Sequence, residues 1–425
     1  MDMEKSSQLH HQMLNIAQQI AGAVARAGGR AYFVGGMVRD RLLNVPCKDV
    51  DIEVHLLSPQ QLKDILGAIG PWNAMGANFG VYNLGGVDVA MPRMEKATGR
   101  GHRDFEIFVD PFLGPEKAAA RRDFTVNAMM MDVLSGELLD FYGGQEDLNQ
   151  KVIRHVRDQS FVEDPLRVFR AAQFSARYDF DIAPETLTLC QRMDVDALPS
   201  ERVMEEVLKA LQKAHRPSRF WEALRQMGQL SPWFAELDDL QAKQPEIFQK
   251  AMATVDAAAT YRSQSENPAG LMLAALCAWL SPEDGLSLLK RLTKDNSLLA
   301  EIPNLLCSAP VLMALLSGRV SDPDRVMKCW DEAVSQRDLQ LLVLSLRKAD
   351  GNAQSGDEVL LRASLSAYLG LNPKAQVTGA DFVKAGFAPG RKIGLGVRYA
   401  HGLWLQGMDK ESAMAQTLTY LEQVE

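Results

Sequence analysis

Residues 34 to 51 read Val-Gly-Gly-Met-Val-Arg-Asp-Arg-Leu-Leu-Asn-Val-Pro-Cys-Lys-Asp-Val-Asp, and this stretch decides the fold of the first part of the chain. Tyr32, Phe33 and Val34 form an apolar run of β character. It stops at Gly35 and Gly36, where the backbone is free to adopt the angles and the close approach that phosphate oxygens require. A helix is expected to follow. Residues 50 to 54 then alternate, which predicts a strand with Asp49, Asp51 and Glu53 on one face and Val50, Ile52 and Val54 on the other. Two carboxylates two residues apart on one strand edge can share a divalent cation.

Working outward, helices are expected over 8–28, 37–43 and 59–69, and strands over 31–34 and 49–54. Residues 81–84 and 87–91 flank Gly85-Gly86, a hairpin signal that puts Asp88 on the second strand as a third acid. The polar stretch 92–110 reads as a mobile loop, and Ser135-Gly136 as a turn between 129–132 and 137–140. Near residue 150 the pattern changes. From Asp164 onward apolar residues recur at helical spacing, with Pro184, Pro199 and Pro217 at helix starts. Residues 263–267 and 351–356 are linker candidates. Three domains are expected, 1–150, 151–235 and 236–425, the last two helical.

The 425 residues are 47% hydrophobic and 24% charged, ordinary values for a globular chain with a sizeable core. No apolar run of membrane-spanning length and no secretory signal stand out, and five scattered cysteines lack a Cys-x-x-Cys pair. The expectation is a cytoplasmic protein with reduced thiols, no structural zinc and no membrane partner. A net charge of −8 sits poorly with nucleic-acid binding over the whole surface. Basic residues nevertheless gather at Arg121-Arg122, at Arg167 and Arg170, and between Lys213 and Arg219, which allows a cationic track on an acidic body.

Four further motifs follow in order. They are Arg121-Arg122-Asp123-Phe124-Thr125-Val126-Asn127-Ala128, the Asp140 to Leu148 segment with its Gly143-Gly144, Glu163-Asp164-Pro165-Leu166-Arg167-Val168-Phe169-Arg170, and Ser200-Glu201-Arg202-Val203. With the opening Gly-Gly, Arg-Asp and Asp-x-Asp, the series resembles the class II tRNA nucleotidyltransferases and the related bacterial poly(A) polymerases over residues 30 to 235. The resemblance implies an α+β protein: a small polymerase-β-like nucleotidyltransferase head followed by an all-helical neck, body and tail. It also implies a template-independent transferase that adds C, C and A to the tRNA 3′ end from CTP and ATP.

In that reading Asp49, Asp51 and Asp88 hold Mg²⁺. Gly35, Gly36, Arg39, Asp40, Arg93, Arg122, Asp123, Asn127 and Arg170 contact the nucleotide, and Asp164 with Arg167 reads the base. Cytosine and adenine both offer an amino donor beside a ring acceptor, which a carboxylate and a guanidinium match; uracil and guanine place a carbonyl where the amino group should be. Such polar matching can discriminate by up to about 10⁴–10⁵-fold. Arg202, Arg391 and Lys392 are expected to meet RNA phosphate. The loop over 92–105 looks full length, as in relatives that complete all of CCA. His102 and the other histidines lack metal-ligand spacing. A His-Asp phosphohydrolase pair found in many bacterial relatives is replaced here by Ala278 and Trp279, so a packing role is expected for that region. The alternatives are a poly(A) polymerase, a CC-adding or A-adding specialist, and an RNA-binding module without catalysis. Oligomeric state is not legible.

Overall fold

The computed structural model describes residues 2–47, 49–74, 80–97, 105–320, 322–371 and 376–423. The chain opens with α1 (Asp2–Arg26), β1 (Arg30–Val34), α2 (Gly36–Leu42), β2 (Val50–His55), α3 (Pro59–Ile69), β3 (Trp72–Ala74), β4 (Val81–Leu84) and β5 (Val87–Ala90). Then come β6 (Arg93–Ala97), β7 (Phe105–Val109), α4 (Pro115–Ala120), α5 (Thr125–Ala128), β8 (Met130–Asp132), β9 (Leu138–Leu139) and α6 (Gly144–Gln150). Seven strands make one mixed sheet in the order β3-β4-β5-β2-β1-β8-β9. Strand β2 runs antiparallel to β1 and parallel to β5, so it lies at the centre. Val50, Ile52 and Val54 are buried, and α1 packs on β1, β2, β5 and α3.

Local chemistry explains several of these elements. Helix α3 starts with Pro59 after a Ser58–Gln61 capping box, which satisfies two orphan N–H groups at once. The β4–β5 hairpin turns through Gly85 and Gly86, both at positive φ (59° and 90°), as a tight turn matched to strand twist requires. One expectation is corrected. Segment 92–110 is not simply a loop, because β6 and β7 pair antiparallel from Arg93 opposite Val109 to Ala97 opposite Phe105. Phe105, Ile107, Phe108 and Val109 supply the β preference that the flanking charges and glycines obscured. Residues 98–104, with His102, lie outside the described residues.

Contacts divide the chain into two compact units, Met1–Ala210 with Arg219–Pro232, and Leu211–Ser218 with Trp233–Glu425. The first therefore continues past residue 150, through β10 (Val152–Ile153), α7 (Asp158–Phe161), α8 (Leu166–Tyr178), β11 (Asp181–Ile182), α9 (Pro184–Cys190), α10 (Ser200–Lys213) as far as Ala210, and α11 (Arg219–Gln226). The physical reason is a shared core. Fully buried Phe124, from the Arg-Arg-Asp motif, meets Phe161 and Phe174 edge-on, and β10 pairs with β11.

The second unit is helical: α12 (Ala235–Lys243), α13 (Pro245–Ala259), α14 (Pro268–Cys277), α15 (Pro282–Leu292), α16 (Asn296–Leu316), α17 (Pro323–Glu332), α18 (Gln336–Ala349), α19 (Asp357–Gly370), α20 (Gly379–Lys384), α21 (Arg391–Leu405) and α22 (Lys410–Gln423). Helix α14 is buried from Gly270 to Cys277, and Trp279 Nε1 donates to Thr254 Oγ1 at 2.7 Å, so the Ala278-Trp279 region serves packing. Segment 263–267 is tied down, because the Glu266 and Asn267 N–H groups donate to the Asp338 carboxylate. The expectation of no membrane-length apolar run needs correcting too. By length and composition α16, with 21 residues, is long and apolar enough to cross a membrane. Its buried Leu298, Ile302, Leu305, Ala309 and Leu312 pack one side of it among α14, α17 and α18.

Candidate active site

The parallel register of β2 and β5 sets Asp51 directly beside Asp88. Strand alternation puts Asp51 and Glu53 on one face of β2. These acids line a pocket of about 280 Å³ together with Arg93, Arg121 and Arg122. Asp51 is half-buried, and its carboxyl is pushed up to about 6, first by burial and then by the charges of Asp88 and Asp49, against the pull of Arg122. Asp49 stands exposed just before the strand, and Asp88 accepts a hydrogen bond from Asn83. Among the described residues no three His, Cys, Asp or Glu side chains form a ready metal cage.

Glu53 is 1% exposed and fully committed to neighbours. One oxygen receives His55 Nε2 at 3.0 Å, and the other faces the Nη2 atoms of Arg121 and Arg122, both at 3.5 Å. Burial alone would raise its pKa, but the His55 hydrogen bond and the two arginine charges outweigh it and bring it down to about 2. Glu53 and Arg121 did not stand out as site residues in the sequence. The available signals were the i, i+2 parity of Glu53 with Asp51 and the adjacency of Arg121 to Arg122.

Gly35 joins this pocket to α2. Its φ of +62° and ψ of −129° favour glycine, and a Cβ there would stand 3.1 Å from Arg122 Nη1. The next motif residues turn inward. Arg39 and Asp40 are buried, with the Arg39 guanidinium over the rings of Tyr178 and Phe174 and its Nη1 donating to Asn127 Oδ1. Asn127 Nδ2 donates to Asp123, Asp123 accepts from Arg170, and Arg170 reaches Glu206 at 3.7 Å. Burial would raise the Asp123 pKa, but the Arg170 charge and the hydrogen bonds from Asn127 and Arg170 lower it below its ordinary 3.8. Tyr178 Oη closes the far end by donating to Asp40.

The structure thus brings Asp51, Asp88, Arg93 and Arg122 to one pocket, with Asp49 at its strand entry. It places Arg39, Asp40, Asp123, Asn127 and Arg170 in a buried polar chain between α2, α5 and α8. Asp123 and Asn127, expected at the ribose, are enclosed because their polar atoms are spent on this chain. Asp164 and Arg167 do not pair with each other. Asp164 pairs with Arg202 at 2.9 Å, while Arg167 donates to the carbonyls of Ser160 and Arg121. Arg391 and Lys392 are exposed on the first turn of α21 in the second unit.

Residues 31–154 match the family described as the poly A polymerase head domain, and residues 179–241 match the probable RNA- and SrmB-binding site of polymerase A. The chain is 43% identical over 220 residues to the multifunctional CCA protein of Stenotrophomonas maltophilia (strain R551-3), a match covering 50% of this chain and 52% of the relative. It is 41% identical over 218 residues to the multifunctional CCA protein of Methylobacillus flagellatus, covering 50% and 51%. The match thus spans about half the length of these curated relatives. The fold is that of CCA-adding enzymes. A CCA-adding enzyme in apo form II superposes with a TM-score of 0.70 at 23% identity over 96% of both chains. A Thermotoga maritima CCA-adding enzyme complexed with tRNA gives 0.64 at 23% identity, again over 96% of each.

Proposed function

We propose that the protein is a metal-dependent nucleotidyltransferase that adds C, C and A to the 3′ end of tRNA from CTP and ATP. One observation carries this reading: β2–β5 pairing sets Asp51 beside Asp88 in a pocket whose other charged residues include Arg93, Arg121 and Arg122. Acids that hold a metal and arginines that hold a triphosphate are the two halves of a phosphoryl-transfer site. The head domain and the relatives named as CCA proteins support the same conclusion.

The donor set fits a hard divalent cation. Asp51 is crowded by two other carboxylates and resists ionising without a counter-charge. Mg²⁺ is typically held by one or two carboxylates, with water and substrate phosphate completing its shell, which agrees with the absence of a preassembled cage among the described residues. Asp51 and Asp88 would hold the ion, with Asp49 joining from the strand entry. When bound it would lower the pKa of the attacking 3′-hydroxyl and offset the charge on the triphosphate.

The tRNA 3′-oxygen bonds to the α-phosphorus of the incoming nucleotide as the bond to pyrophosphate breaks. Arg122 and Arg93 bind the triphosphate, and Gly35 and Gly36 leave room for it. The chain from Asp40 through Arg39, Asn127 and Asp123 to Arg170 holds α5 and α8 in place, so the ribose and phosphate groups meet a fixed wall. Asp164 and Arg167 face the base edge and exchange their present partners for it. Arg202, Arg391 and Lys392 bind RNA phosphate. With tRNA as its substrate, the protein would act in the cytoplasm.

A second reading, poly(A) polymerase, follows from the two matched polymerase A domains. Transcripts ending before CCA, after C and after CC separate the two when incubated with Mg²⁺ and CTP, ATP or both. Growth of all three to one CCA end supports the first reading. An open-ended A ladder supports the second, partial extension indicates a specialist, and no extension indicates an RNA-binding module.

A further inference from the structure

Glu53 has no part in the chemistry above, yet it is the most enclosed charge at the pocket. It follows Asp51 by two residues on the same strand face, but is buried where Asp51 is half-exposed. A carboxylate taken out of water persists only when paired and hydrogen-bonded. Here His55 Nε2 occupies one oxygen, and the other stands 3.5 Å from the Nη2 atoms of both Arg121 and Arg122. His55 is itself packed edge-on against the Tyr32 ring at 5.3 Å between centroids, so the carboxylate is held from the sheet side. Two guanidinium groups adjacent in sequence repel each other, and one buried carboxylate between them offsets that repulsion.

We propose that Glu53 is a positioning residue for nucleotide binding, which keeps the Arg121 and Arg122 guanidiniums aligned on the pocket and off the metal-binding carboxylates. This rests on the nucleotidyltransferase reading. Without Glu53, the nearest acids for Arg122 are those of the pocket itself, and an arginine collapsed onto Asp51 removes both a phosphate contact and a metal ligand. The backbone of the pair is anchored separately, by the Arg122 N–H donating to the Ala119 carbonyl at 3.0 Å and Ser160 Oγ donating to the Ala120 carbonyl at 3.0 Å, so the loss of Glu53 acts on the side chains.

The test compares wild type, Glu53→Gln and Arg121→Ala by direct titration with CTP, ATP and the nucleosides cytidine and adenosine, followed by KM and kcat for transfer. Glu53→Gln keeps the size and one accepting oxygen, replaces the other oxygen with a donor, and loses the charge. Weaker CTP and ATP binding, by about 10-fold or more, is expected from losing charge-assisted bonds, with nucleoside binding unchanged and KM rising more than kcat falls. Arg121→Ala, at the more exposed partner, should weaken triphosphate binding in the same direction and serves where Glu53→Gln does not fold. In the double variant the losses should be less than additive. Wild type that binds the triphosphates while Glu53→Gln or Arg121→Ala binds them equally well overturns the positioning role alone. Wild type that binds no nucleotide overturns the nucleotide reading and this proposal together.

Discussion

Asp51 works against the fold and for the chemistry. Burial and two neighbouring acids disfavour its charge, so its replacement should cost the fold nothing. Asp51→Asn is expected to lower transfer by about 10³-fold or more, the scale of losing several kcal/mol of metal-derived stabilisation, with Tm unchanged or raised. Activity near wild type would remove Asp51 from the reaction. Asp123 behaves in the opposite sense. Its folded pKa lies below the ordinary 3.8, so its ion pair contributes stability that is fully present above about pH 4 and lost as the pH falls through the folded value. Asp123→Asn should cost about 3 kcal/mol at neutral pH and flatten the acid limb of stability, measured by urea unfolding between pH 3 and 6. At Gly35 the backbone decides. Gly35→Ala should cost about 1–3 kcal/mol through its positive φ and weaken triphosphate binding by shifting Arg122.

Helix α8 is the element on which the proposed site depends. It carries Arg167, Arg170, Phe174 and Tyr178, and each engages a different head-domain partner: the Arg121 carbonyl, Asp123, Phe124 and Asp40. Its start, spacing and apolar stripe were readable in the sequence, as were α3, the Gly85-Gly86 hairpin and the Asp51 strand. These elements are specified by near neighbours, through caps, turn residues and periodicity. The partners of the charged residues were not readable. Asp164 and Arg167 lie one helical turn apart, which suggests a pair, yet Arg202 takes Asp164 from 38 residues away. In the second unit, Trp279 is tied to α13 by its Nε1 donating to Thr254 Oγ1. Trp279→Ala should destabilise the protein by about 3 kcal/mol by opening a cavity and freeing the Thr254 hydroxyl, with specific transfer activity retained in the folded fraction.

For the whole molecule, a net charge of −8 means that the proposed RNA contact depends on local groups of arginine and lysine rather than on overall attraction. Removing Arg391 or Lys392 should weaken tRNA binding for any sequence and reduce the slope of log K against log salt by about 1 each, measured by filter binding at several ionic strengths. An unchanged slope would take those residues out of the RNA contact.

The sequence by itself determined the α+β head, the helical remainder and the order of the motifs, because hydrophobic period and turn chemistry act over a few residues and need no knowledge of distant partners. Only the tertiary structure decided which charges share a pocket and which are consumed in the core. The parallel β2–β5 register brings Asp88 to Asp51 from 37 residues away, and buried Glu53 draws in Arg121 and Arg122 from nearly 70. A buried charge takes its partner from whatever the fold sets beside it, and that choice is made by packing, after the local rules have been satisfied.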